Sequence, residues 1–269
     1  RGMDFAGAFF GTALLYVLVK YAYPEIGDVI YKGVSAPVSI FYPIFVIAVC
    51  SALVGASFLF FVSDKGIKTK DLGKGTNKVV PNLDIRKYDK SLRVFFLAQF
   101  IFTLGNSSNQ FLLLRSTNLY KDISSVLLMY MLFNITTSLF SSFFGGLSDK
   151  IGRKRLLVWG YILYSVVYIA FGFMSHQYSW LLWFFWPLYG VYYAMTEGVE
   201  KAFVSELAPQ NSKGTALGFY NMIVGVGLLP ASLIAGFIYP FSNKAPFIFG
   251  GIMSILAVVI IIFKIHEKN

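Results

Sequence analysis

Long apolar runs separated by short polar stretches set the pattern of this chain. Eight runs reach bilayer length, at residues 5–23, 41–62, 92–114, 123–147, 156–174, 180–204, 215–239 and 247–265. Each has the ~17–20 residues that a helix rising ~1.5 Å per residue needs to cross the hydrocarbon core. A membrane-spanning strand would need only ~9–11 residues with apolar and polar positions alternating. None of the eight runs alternates, so the pattern predicts an all-α integral membrane protein with eight transmembrane helices. The first run lacks a basic flank and a small-residue cleavage site, and Asp4 stands where a signal peptide would carry positive charge. It reads as a span that is kept.

One connection differs from the rest. Residues 63–90 are polar, with lysines among Asp71, Asp84 and Asp89 and breaks at Gly66, Gly73, Gly75 and Pro81. The stretch reads as a solvated linker, or as a loop holding one small ordered helix; either way it divides two spans from six. The expected units are residues 1–62, a linker over 63–91 and a six-helix bundle over 92–269.

Composition agrees and removes other classes. Of 269 residues, 57% are apolar and only 13% are charged, against about 25% charged in soluble domains. Cys50 is the single cysteine, and His176 and His266 lie far apart. Neither a disulfide framework nor a metal centre is expected, and no cofactor. The formal charge of +10 is a topology signal. If the connection at 63–93 is cytoplasmic, alternation puts eighteen of the 23 Lys and Arg on that side. Lys20, Lys32, Arg115, Lys121 and Lys244 remain outside. The positive-inside rule then places the N-terminus, linker and C-terminus in the cytoplasm, expected here to be that of a prokaryotic cell with the chain in its inner membrane. The basic excess is thus absorbed by the lipid bilayer, and no nucleic acid is expected as a partner.

Between the fourth and fifth spans runs Gly145-Gly146-Leu147-Ser148-Asp149-Lys150-Ile151-Gly152-Arg153-Lys154-Arg155. Gly145 and Gly146 would let two helix backbones approach closely. Asp149 is suited to accept from free N–H groups at a helix start. Gly152 permits a positive φ in a tight turn, and Arg153 can bind a carboxylate.

This stretch resembles the signature loop of the major facilitator superfamily of secondary transporters, Gly-x-Leu-x-Asp-x-x-Gly-Arg followed by two basic residues. It matches at Gly145, Leu147, Asp149, Gly152, Arg153, Lys154 and Arg155. Two further stretches are similar more loosely. One is Arg1-Gly2-Met3-Asp4 with Gly7 and Gly11, which resembles a fifth-helix start without the Gly-Pro pair of many antiporters. The other runs from Gly214-Thr215-Ala216 through Gly225, Gly227 and Pro230, like an eleventh helix.

The resemblance implies twelve helices in two halves joined by a cytoplasmic linker. This chain would then carry helices five and six, the linker and helices seven to twelve. About four N-terminal helices of the same protein are expected upstream of Arg1, so the sequence reads as a fragment. The resemblance also implies that Arg153 holds the cytoplasmic side closed through an acid on a neighbouring helix. Glu200 is the first candidate, with Glu197 and Glu206 as alternatives.

Inside the spans, Glu197 lies one turn deeper than Glu200 and is the candidate for proton coupling, or else a structural charge. Gln99, Thr103, Asn106 and Gln110 fall at i, i+4, i+7 and i+11, one polar stripe on an apolar helix. Such a stripe suggests a substrate cavity or interhelical bonds; Asn134 and Asn221 could complete the cavity. The Gly225, Gly227 and Pro230 cluster suggests a bend near the substrate site. Gly7 and Gly11 read as a packing face, and Trp180, Trp183 and Trp186 as an interfacial belt and packing residues. No phosphate loop, His-Glu-x-x-His or Gly-x-Ser-x-Gly motif occurs.

The expected function is secondary active transport of a small-molecule substrate by alternating access, with protons coupling efflux; no enzyme activity is expected. The alternatives are an uptake symporter of the same superfamily, an integral-membrane enzyme and an inactive truncated chain.

Overall fold

The computed structural model describes residues 2–22, 42–58 and 85–265, and among these the chain forms helices and no strand. In order they are α1 (Gly2–Val17, continued by a π turn at Leu18–Ala22), α2 (Tyr42–Phe58), α3 (Lys90–Gly105), α4 (Gln110–Tyr120), α5 (Ile123–Ile151), α6 (Arg153–Phe173), α7 (Leu182–Leu207), α8 (Lys213–Ile238) and α9 (Ala245–Lys264). Four of them, α5, α6, α8 and α9, are long and apolar enough to cross a membrane. α7 is as long as α8 at 26 residues but carries Glu197, Glu200, Lys201 and Glu206. α1 and α2 are shorter apolar helices. Most of the expected linker lies outside the described residues, which resume with a 3₁₀ turn at Ile85–Lys87.

The bundle is centred on α3, α6 and α7. Tyr161, Tyr164 and Tyr168 on α6 and Trp186 and Tyr189 on α7 are wholly buried. Phe102 of α3 stacks on Tyr161 with ring centroids 4.0 Å apart. Such offset aromatic pairs add ~0.5–1.5 kcal/mol beyond area burial. Outward-facing positions are apolar too: Leu139, Phe143, Leu229, Phe237 and Phe263 are exposed, as a bilayer-facing surface requires. α1 packs along α5, with Phe5 edge-on to Phe133 at 6.3 Å. Trp180 is exposed, whereas Trp183 donates to Tyr120 Oη at 3.3 Å and Trp186 to Ser116 Oγ at 3.1 Å.

Two expectations need correction. The run 92–114 is two helices, because α3 ends at Gly105 and α4 begins at Gln110. Gly-Asn-Ser-Ser-Asn at 105–109 is a sequence of poor helix formers whose side chains compete for backbone groups. The second concerns glycine. Gly7, Gly11, Gly145 and Gly146 would meet nothing within 4 Å if they carried a Cβ. The close crossing of α5 and α7 is instead at Gly190, whose Cβ would stand 2.7 Å from the Phe133 carbonyl oxygen. About three turns further along, Gly145 lines a slot between α1, α5 and α7, so a Cβ there would meet no described neighbour.

Candidate functional site

Gln99, Thr103 and Asn106 of α3 line a cavity of about 220 Å³ between α3, α7 and α8. α7 contributes Tyr192, Tyr193, Thr196, Glu197 and Glu200, while α8 contributes Tyr220, Val224 and Leu228. Among the described residues that line it there is no Lys or Arg. Glu200 is buried at 5% exposure. Its carboxylate lies 2.9 Å from Tyr161 Oη on α6 and 3.4 Å from Gln99 Nε2 on α3, and Tyr220 Oη of α8 donates to it as well. Tyr161 Oη also lies 2.6 Å from Gln99 Oε1. A phenol has one proton, so it serves Glu200 or Gln99 at any moment.

The unwound segment at 106–109 forms the next wall. Breaking a helix in an apolar medium frees backbone and side-chain groups that must find partners inside the protein. Tyrosine hydroxyls supply them. Tyr164 donates to the Gly105 carbonyl at 3.0 Å, and Tyr168 pairs with Ser107 Oγ at 2.8 Å. Tyr189 and Tyr193 both donate to Asn109 Oδ1, at 2.9 and 3.4 Å. Asn106 Nδ2 donates to Tyr192 Oη at 3.4 Å, and its buried Oδ1 has no hydrogen-bond partner among the described residues.

At one end of the bundle Gly152 alone joins α5 to α6, at φ 94°. A side chain rarely tolerates that backbone, which is why glycine stands there. Arg153 then reaches two carboxylates, Asp149 and Glu206, each at 3.0 Å, and the Ala202 carbonyl at 3.1 Å. Lys154 Nζ caps the end of α9 through the Ile265 carbonyl at 2.6 Å. The loop therefore clasps α5, α7 and α9 together. Arg155 is exposed, Leu147 is partly buried against the core, and Asp149 takes Arg153 in place of the expected backbone N–H groups. At the opposite end Arg115 is buried and donates to the carbonyls of Phe171, Gly172 and Met174. It satisfies the orphan acceptors at the end of α6. Sequence reasoning gave it only a side of the membrane.

The expected pairing of Glu200 with Arg153 is corrected. Glu200 points into the cavity toward hydroxyls and an amide, and Glu206, nearly two turns further along α7, takes the arginine. Of the polar stripe, Gln99, Thr103 and Asn106 share the cavity; Gln110 falls beyond the break and is exposed at the start of α4. Asn134 is buried with its amide donating to the Tyr130 carbonyl at 2.9 Å, and Asn221 is exposed on α8; neither lines the cavity. α8 runs unbroken through Pro230, and Gly227 packs against Thr103. The interruption expected there is in the α3–α4 segment. Glu197 borders the cavity and also a second one of about 170 Å³ between α1, α5 and α7. Tyr161 and Tyr220 were not anticipated. Their signal was indirect, as tyrosines in spans where phenylalanine would cost less to bury.

The sequence model of the Major Facilitator Superfamily matches residues 95–269. An uncharacterised MFS-type transporter of Methanocaldococcus jannaschii is 33% identical over 98% of this chain and 62% of its own length. Quinolone resistance protein NorA of Staphylococcus aureus strain Mu50 is 29% identical over 51% of this chain and 35% of its own length. The NorA of strain MRSA252 is 28% identical over the same shares. The chain thus spans under two thirds of the length of these relatives.

Proposed function

Because the chain belongs to the Major Facilitator Superfamily, we propose that the intact protein moves a small solute across the membrane by alternating access, driven by protons and directed outward. In this reading the chain crosses the bilayer eight times, residues 1–62 end one half-bundle, and 63–91 link it to the six-helix half at 92–269. The clasp of Asp149, Arg153, Lys154 and Glu206 lies at the cytoplasmic end, with most of the basic residues. Arg153 there holds the cytoplasmic side in its closed arrangement, with Glu206 in the role first expected of Glu200.

The observation that carries the proposal is Glu200, a carboxylate buried in the wall of a cavity and reached by donors from α3, α6 and α8. Taking up a proton changes what those donors do. The anion holds the protons of Tyr161 and Tyr220, whereas the neutral acid releases one of them, and Tyr161 can turn to Gln99. Protonation is thereby tied to how four helices sit around the cavity, which is the differential stabilisation that a two-state transporter needs. Asn106 Oδ1, buried at the cavity wall with no hydrogen-bond partner among the described residues, offers an acceptor to a solute donor. Aromatic walls with acids and amides suit neutral or cationic aromatic solutes. The likeness to a protein named for quinolone resistance supports the outward direction, since a membrane transporter can give resistance by lowering the internal concentration.

The test is transport by the intact protein in inverted membrane vesicles under an imposed proton gradient. Glu200→Gln should bind a fluorescent aromatic cation and fail to accumulate it in response to the gradient. Accumulation at the parental rate in that variant would refute the role of Glu200. Accumulation only in right-side-out vesicles would make the protein an uptake symporter.

A further inference from the structure

Two asparagines bound the break between α3 and α4, and the bundle treats their oxygens differently. Asn109 Oδ1 takes two phenol protons, from Tyr189 at 2.9 Å and Tyr193 at 3.4 Å. Asn106 Oδ1 is buried as well, yet no described residue donates to it. Buried polar atoms are nearly always paired, because an unpaired one forfeits its bond to water. Tyrosines also serve Gly105 and Ser107 in the same segment, so the omission is particular to position 106.

The root of that side chain is fixed. Its backbone N–H closes the end of α3 on the carbonyls of Phe102 at 3.0 Å and Thr103 at 3.1 Å. The tip is held more loosely, with Nδ2 on Tyr192 Oη at 3.4 Å. Asn106 lines the cavity while its Oδ1 lies just behind the cavity surface. The amide torsion of asparagine is broad, so a small turn brings that oxygen to face an occupant.

The rest of the described wall offers acceptors more readily than donors. Thr103 Oγ1 donates to the Gln99 carbonyl at 2.8 Å and Thr196 Oγ1 to the Tyr192 carbonyl at 3.0 Å. Tyr193 donates to Asn109, while Gln99 Nε2 and Tyr220 Oη donate to Glu200. A hydroxyl has one proton, so Thr103, Thr196 and Tyr193 meet a solute with lone pairs. Phe102, Tyr192 and Tyr220 add ring faces, which attract cations. An N–H on a cationic nitrogen satisfies both features at once, and its hydrogen bond is stronger than a neutral one.

We propose that Asn106 is a specificity-determining residue of this cavity: its Oδ1 accepts from the N–H of a protonated aromatic amine and ranks that class above quaternary cations of the same frame. The inference rests on the reading of this cavity as the chamber of the solute. Binding gives a buried acceptor its missing donor. A quaternary nitrogen has no proton to offer, so it enters with the oxygen still unpaired, and sites built around a hydrogen bond reject such analogues.

The experiment uses the intact protein in mild detergent and two fluorescent aromatic probes of one frame, a protonated N,N-dimethylamine and its N,N,N-trimethyl counterpart. Dissociation constants are measured for the parental protein, Asn106→Leu and Asn106→Asp. The parental protein should bind the dimethylamine about tenfold tighter or more, equivalent to ~1.4 kcal/mol. Asn106→Leu removes the acceptor, and the ratio of the two constants should fall to about one. Asn106→Asp keeps an acceptor and should retain the preference. Equal affinities in the parental protein would overturn the proposal without recourse to any variant, and so would a preference that survives in Asn106→Leu. A merely structural role would weaken both probes together and leave their ratio unchanged, which also overturns it. Gradient-driven transport of both probes in vesicles separates this inference from the coupled reading. Transport of two probes that bind equally refutes the role of Asn106 alone. A preference lost in Asn106→Leu, with no transport under any gradient, supports Asn106 and refutes the coupling.

Discussion

Gly190→Ala tests the central crossing. An added Cβ would stand 2.7 Å from the Phe133 carbonyl oxygen, 3.0 Å from Thr136 Cβ and 3.2 Å from Thr137 Oγ1. The nearest atom belongs to backbone and cannot swing aside, so α5 and α7 must part by several tenths of an ångström. Overpacking of that kind costs ~1–3 kcal/mol, with a rigid neighbour toward the upper part. Alanine returns up to ~1 kcal/mol of helix propensity, which leaves a net loss of about 2 kcal/mol. Gly146→Ala is the matched control, because its Cβ meets nothing within 4 Å. It should leave stability unchanged or raise it by up to ~1 kcal/mol. Equilibrium unfolding of the two purified variants in one mild detergent, followed by tryptophan fluorescence, reads the difference. Gly190→Ala should also weaken solute binding, since Tyr189, Tyr192 and Tyr193 flank the crossing and hold the unwound segment. Equal unfolding midpoints for the two variants would refute the crossing and the argument built on it.

Three further outcomes are expected. Arg153→Ala should speed amide exchange across 145–155, and Glu206→Gln or Asp149→Asn should do so weakly, because half-exposed ion pairs contribute only ~0.2–1 kcal/mol each; Glu200→Gln should leave exchange there unchanged. Arg115→Met should destabilise the bundle by ~2–4 kcal/mol in the same unfolding assay, as three carbonyls at the end of α6 lose a charged donor. Asn109→Leu strands the hydroxyls of Tyr189 and Tyr193 at ~1–3 kcal/mol each and should lower solute affinity, whereas Asn109→Asp keeps the acceptor and should retain binding.

The helices were legible because apolar length and charge placement are properties of single segments. The signature loop was legible because Gly152 and Arg153 act within one turn. What escaped was pairwise. Glu200 and Glu206 look alike along α7, and only the rotation of that helix decides which meets Arg153. Gly146 and Gly190 are equal in sequence, and only the crossing point separates them. The interruption at 106–109 was written in Gly-Asn-Ser-Ser-Asn, but the hydrophobicity on both sides masked it. Pro230, the more conspicuous breaker, sits in a helix that continues through it.

The tyrosine-held segment also bears on how the protein is made. α3 has 16 residues and α4 has 11, about 24 Å and 17 Å at ~1.5 Å per residue, and neither alone covers a ~30 Å hydrocarbon core. The hydroxyls that complete them lie between 59 and 86 residues downstream. At ~5–20 residues per second, the ribosome needs several seconds more to deliver those partners. For that interval the nascent segment is neither a finished span nor a soluble loop. Its entry into lipid has to wait for α6 and α7, so the order of synthesis and the order of insertion differ in this part of the chain.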